Sequence, residues 1–204
     1  MDSWDYFKKT YIKILQQEKF VQEVISLSED EGLDLDLANK VDEEFGCLEI
    51  GDLDQMANKY AGDNKWIDNC LNIIENRFAF VIKTVVEYDE GQIINLKERF
   101  YGLGQKFQPD YEDLPVRHIY DTIRDLLLDG ARNEELNEVI SEEYDEIIWK
   151  RIRPSTCKYW AYLNVDFNKY YLPLRQEFIE GLTEKTDVEF KKLDETVCVL
   201  ARRI

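Results

Sequence analysis

The chain has 204 residues, of which 44% are apolar and 13% aromatic, enough material for one domain with a full core. The remainder is acidic, with 43 Asp and Glu against 26 Lys and Arg and a formal net charge of −17. Such a chain repels nucleic-acid phosphates and anionic membrane surfaces over most of its area, and it attracts basic proteins.

The first 27 residues keep helical spacing at Trp4, Phe7, Tyr11, Ile14, Leu15, Val21, Val24 and Ile25. The SEDEG run at 28–32 stops that helix, and Gly32 suits the left-handed position past its end. Two short helices follow. One runs from Asp34 to Phe45, before Gly46; the other runs from Asp52, its expected N-cap, to Ala61, before Gly62. DLDLANKVDE, within the first, lacks the glycine and terminal glutamate of a calcium loop.

Asp63 to Tyr88 is the strongest core segment. Asp63 caps it, and Ile67, Cys70, Leu71, Ile74, Phe78, Val81, Ile82 and Val85 form one stripe. FAFVIKTVVEY is rich in β-branched residues, so a strand competes there, but the unbroken phase from Ile67 favours helix. A further helix covers Gln92 to Leu103, closed by Gly102 and Gly104. A loop with Pro109 follows, and a subdomain break is expected near 104–114. Pro115 opens a helix to Asp129, which Gly130 ends.

Asn133 to Ile152 reads as one amphipathic helix, hairpinned against its predecessor. Leu136, Val139, Ile140, Tyr144 and Ile147 fall on one side; Glu134, Glu135, Glu138, Glu142, Asp145 and Glu146 fall on the other. Glu143 then lies on the apolar side, where an acid needs a partner. Cys157 to Phe167 alternates at Tyr159, Ala161, Leu163 and Val165, as a strand does. Pro173 opens a short helix to Glu180. Thr186 and Glu189 form a capping box ahead of Phe190, Leu193, Val197, Leu200 and Ile204, the stripe of a terminal helix. The expected fold is therefore mainly α: a helical, bundle-like single domain over residues 1–204, of about seven to nine helices, with a minor β element near 157–167.

Cys47, Cys70, Cys157 and Cys198 show no CxxC spacing, the chain begins MDSWDYFKK, and no run approaches the roughly 18 apolar residues that span a bilayer. The expectation is a cytoplasmic protein with free thiols and no membrane contact. Catalytic chemistry finds little to use. The single histidine, His118, starts an amphipathic helix beside Ile119 and Ile123, with no nucleophile elbow near it. GxxxxGK[ST] is absent, and YGLGQKF lacks the strand context of a dinucleotide fingerprint. No cofactor or metal is expected.

Glu135-x-x-Glu138 and Glu142-x-x-Asp145 resemble the halves of the magnesium motif in MazG-type all-α NTP pyrophosphohydrolases. That resemblance implies a carboxylate-metal nucleotide hydrolase. In that family the halves sit on two helices, whereas here three residues separate them and all four acids would share one helix face.

The acid is clustered. Glu29 to Asp63 holds 12 acids and two lysines, Glu112 to Glu146 holds 12 acids and three arginines, and Lys150 to Ile204 is mildly basic. Residues four apart on a helix rise about 6 Å, comparable to the spacing of phosphates on a strand. An acidic helix can thus fill a basic groove built for DNA or RNA. In composition the chain resembles nucleic-acid-mimicking, anti-restriction and anti-CRISPR inhibitors and the immunity proteins of nuclease toxins. The expected partner is a basic protein, a nuclease or other nucleic-acid-binding enzyme, with no direct nucleic-acid contact. Its binding residues are expected at Glu134, Glu135, Glu138, Glu142, Asp145 and Glu146, helped by Glu43, Glu44, Asp52 and Asp54. The alternative is a helical adaptor whose acidic face is merely solvated.

Overall fold

The structure, a computed structural model, describes residues 3–108, 115–128, 137–151 and 156–203. It opens with α1 (Ser3–Asp30), which buries Phe7, Tyr11, Ile14, Phe20, Val21 and Val24 along one side. Gly32 follows with φ 65°, the left-handed turn expected past a helix end. The short helices α2 (Leu37–Phe45) and α3 (Leu53–Tyr60) come next; Asp52 caps α3 by accepting from the N–H groups of Asp54 and Gln55. α4 (Asn64–Tyr88) starts at Asp63, whose carboxylate accepts from Lys65 and Trp66 N–H, and buries its whole expected stripe from Ile67 to Val85. The competing strand over 78–88 does not form, because Phe78, Val81, Ile82 and Val85 keep helical phase against α1.

A 3-10 turn at Glu90–Gln92 leads into α5 (Ile93–Gln105), and α6 (Val116–Leu126) follows after Pro115. Two strands come next, β1 (Asn137–Glu142) and β2 (Glu146–Arg151), then α7 (Cys157–Tyr162) and α8 (Tyr171–Thr183). The last elements are β3 (Val188–Lys192) and β4 (Val197–Arg202). All four strands form one antiparallel sheet in the order β1-β2-β4-β3. One hydrophobic cluster runs from Phe7 to Leu200, so the helices and the sheet share a core in a single, mainly helical domain. An aromatic knot lies at its centre, where the Phe20 ring is 4.9 Å from Phe100, 5.1 Å from Phe178 and 5.8 Å from Phe78. Among the described residues no helix is long and apolar enough to cross a membrane.

Three elements differ from expectation. The described part of the expected acidic helix, 137–151, is the β1–β2 hairpin. As a helix it would place Glu138, Glu142 and Glu146 at i, i+4, where like charges repel. As a hairpin, Glu138 faces Lys150, and Ile147 and Trp149 turn together into the core. The terminal helix is the β3–β4 hairpin. Thr186 Oγ1 accepts from Val188 N–H as a turn rather than a helix cap, and Asp194 reverses the chain by accepting from Thr196 and Val197 N–H.

The β element expected near 157–167 is instead helix α7 and a turn. Trp160 is fully buried against Phe78, Phe167 and Tyr171, whereas Ala161 and Tyr162 are exposed. Asn164, at φ 57°, ends α7: its N–H bonds to Ala161 O while Val165 N–H bonds to Trp160 O, a Schellman closure. Gly102 and Gly104 do not end α5, which continues to Gln105. Of the expected break at 104–114, residues 109–114 lie outside the described residues.

Candidate binding surface

The sheet presents the β1–β2 hairpin by anchoring its inner side. Ile147, Trp149, Cys198 and Leu200 are buried there beneath α6, and the Tyr120 ring meets the Trp149 indole edge-on at 5.1 Å. Trp149 is opposite Cys198 and Ile147 opposite Leu200, so β4 locks the hairpin along its length. At its tip, Glu143 N–H donates to Glu146 O, a tight reversal with Tyr144 and Asp145 outermost. Arg202 N–H donates to Asp145 O, and the Arg202 guanidinium binds the Asp145 carboxylate at 2.5 Å and also that of Asp187. The same guanidinium lies 5.4 Å from the Tyr144 ring centre. This contact joins an acidic block to the mildly basic C-terminal segment.

The expected binding acids separate into two kinds. Some are already engaged: Glu142 by Arg117 at 2.6 Å, Asp145 by Arg202, and Asp54 by Lys8 at 2.5 Å, with Asp52 occupied as a helix cap. Glu138 and Glu146 on the hairpin, and Glu43 and Glu44 on α2, have no ion pair among the described residues. Glu143 joins them: it is exposed at the hairpin turn and needs no partner, contrary to its expected place on an apolar helix face. Glu134 and Glu135 lie outside the described residues. The hairpin is held by β4 and α6, whereas α2 rests on α4 and α3 on α1, so the two acidic groups stand on different supports.

The block at 29–63 spends much of its charge internally. Arg77, buried on α4, binds Asp42 at 2.5 Å, the Gly46 carbonyl at 2.6 Å and Glu18 at 3.3 Å. The Arg77 guanidinium holds the Asp42 carboxyl below its ordinary range. Lys59 and Tyr60 do the same for Glu49.

Sequence reasoning missed the apolar part of the surface. Val139, Ile140 and Tyr144, read as a helix's buried side, are exposed, Tyr144 at 67%. The available signal was the pair of β-branched runs, Val139-Ile140 and Ile147-Ile148, separated by polar residues. The helix on which the four carboxylates of the magnesium-type resemblance were placed is, from 137 onward, this hairpin, with Glu142 and Asp145 bound to arginines. His118 is exposed. The described cysteines are unbridged, and burial pushes the Cys70 thiol up to about 12. No known protein family, curated protein or solved structure matches this chain.

Proposed function

We propose that the protein is an inhibitor-type binding protein that occupies a basic surface of a nucleic-acid-processing enzyme, with the β1–β2 hairpin as its contact element. One observation carries this reading: a hairpin fixed to the core by Trp149 carries exposed Glu138 and Glu143 and half-buried Glu146 together with exposed Val139, Ile140 and Tyr144. Unpaired acids give fast, oriented encounter with a basic groove, and the tyrosine and aliphatic side chains supply area to bury there. These acids sit on strands and a turn, so they do not rise at the phosphate-like interval of a helix face.

The test is competition with duplex DNA for a panel of basic nucleases, restriction enzymes and RNA-guided nucleases. Binding to a member of the panel should weaken as salt rises, because exposed charges are screened beyond about 8–10 Å at physiological ionic strength. The changes Glu138→Lys, Glu143→Lys and Glu146→Lys together should abolish it, while Glu87→Lys, Glu98→Lys and Glu195→Lys should not. Equal binding by both triple variants refutes the proposal. A second reading, a helical adaptor with a solvated acidic face, is favoured by the internal pairing of Asp54, Glu142 and Asp145.

A further inference from the structure

Among the described residues β1 lies at one end of the sheet, with one of its edges paired. The phase of pairing identifies the backbone groups left over. Arg151 N–H bonds to Thr196 O, on the β4 side. By alternation along β2, Trp149 also bonds toward β4, and its opposite residue Val139 occupies a non-hydrogen-bonded site of β1. At the other end, the Glu143 N–H bond to Glu146 O makes Glu142 and Ile147 the next, non-bonded pair. The N–H and C=O groups of Val139 and Glu142 therefore face the open edge, where no backbone group among the described residues answers them.

Sheet edges are commonly blunted by charge or by a bulge, and β1 has a bulge between Val139 and Ser141. Yet it also keeps two β-branched side chains in water, Val139 at 36% and Ile140 at 56% exposure. A strand laid along β1 would set alternate side chains beside Val139 on one face and beside Glu138 on the other. Charge selects the occupant. The hairpin from Asn137 to Arg151 holds five acids and two bases. A second copy laid antiparallel on β1 would bring Glu138 and Glu142 of the two chains together, which is repulsive. An extended basic segment meets the opposite sign.

We infer that the open edge of β1 accepts an extended basic segment of the partner, which joins the sheet as an added strand. The inference rests on the acidic-surface reading above and names its mode of contact. The probe is a peptide of alternating lysine and valine, about ten residues long, with an alternating glutamate–valine peptide as control. Amide hydrogen exchange on the full chain reads the site. The lysine peptide should slow exchange at Val139 and Glu142 and leave α2 unchanged; the glutamate peptide should slow exchange at neither place.

Val139→Pro removes one outward N–H without breaking a bond to β2, and should weaken the peptide about tenfold, the worth of one well-made hydrogen bond. Because proline also stiffens the strand, Val139→Lys with Ile140→Lys provides a variant that keeps every backbone group and repels the lysine peptide; the same loss is expected. Protection at Glu43 and Glu44 instead, or unweakened binding by both variants, overturns the edge site and leaves the acidic-surface reading standing. No binding of the lysine peptide by the wild-type chain at low salt also overturns the edge site, and the enzyme competition then decides the wider reading separately.

Discussion

Gly104 of α5 and Gly181 of α8 meet backbone to backbone. A Cβ on Gly104 would lie 2.0 Å from the Phe178 carbonyl oxygen, and one on Gly181 would lie 2.0 Å from that of Tyr101. Neither position leaves room for a methyl group. In an exposed helix, Gly→Ala gains about 1 kcal/mol from propensity. At this crossing, overpacking should outweigh that gain, so Gly104→Ala and Gly181→Ala should each destabilise by about 2 kcal/mol or more. Urea denaturation measures it, and an unchanged or raised midpoint in either variant would show that the helices can part at little cost.

Arg77 ties α4 to α1 and to the end of α2 through Glu18, Asp42 and Gly46. Arg77→Met leaves those acceptors without their donor. The cost should be about 3 kcal/mol, the low end for a broken buried pair, because the Asp42 side chain is 47% exposed. The pH dependence has a definite sign. Asp42 has a folded pKa below its ordinary 3.8, so its contribution is present above that value and is lost as pH falls through the depressed one. The stability gap between wild type and Arg77→Met should therefore narrow between neutral pH and about pH 3. A gap of constant size would mean that Asp42 draws nothing from Arg77.

The core stripe of α4 and the sheet anchor can be ranked. Leu71→Ala and Val81→Ala should cost about 1–4 kcal/mol each. Trp149→Ala should cost about 3–5 kcal/mol. Trp149→Phe should cost less, because the indole Nε1 has no hydrogen-bond partner among the described residues. Thermal unfolding checks the order, and a Trp149→Phe loss equal to that of Trp149→Ala would contradict it.

Glu143→Gln should change stability by less than about 0.5 kcal/mol, as a surface site does. Arg202→Ala should instead speed amide exchange in the hairpin, since Arg202 carries both Asp145 and Asp187. If Glu143→Gln proves the more disruptive of the two, the turn is not as described.

Local chemistry was legible wherever one side chain sufficed to declare it. Asp52 and Asp63 cap the helices they were expected to cap, and the Ile67–Val85 stripe is buried as its phase implied. The two hairpins were not legible by period alone, because residues spaced three and four apart can also fall on alternating strands once a turn intervenes. Phe190, Leu193, Val197 and Leu200 show this: Leu193 is 63% exposed at a turn that helical phase would have buried. Asn164 was a readable helix stop, and recognising it would have favoured helix over strand for the residues before it. The close approach at Gly104 needed the partner helix, which no local window contains. Of the candidate surface, the acids were visible in the sequence, but which of them Arg117, Arg202 and Lys8 neutralise depends on tertiary contacts.

The sheet order also sets a timetable. β2 is bonded on one side to its neighbour in sequence, β1, and on the other to β4, which follows every helix in the chain. The hairpin turn can close early, because its residues are adjacent. Its anchoring waits for a strand some 50 residues further on to be synthesised and to find its place, a long-range closure that is slow relative to local pairing. Until β4 docks, Cys198 and Leu200 are missing from beside Trp149 and Ile147, and Arg202 is missing from Asp145. A nascent or stalled chain therefore displays the same acids on a hairpin that nothing yet holds against the core.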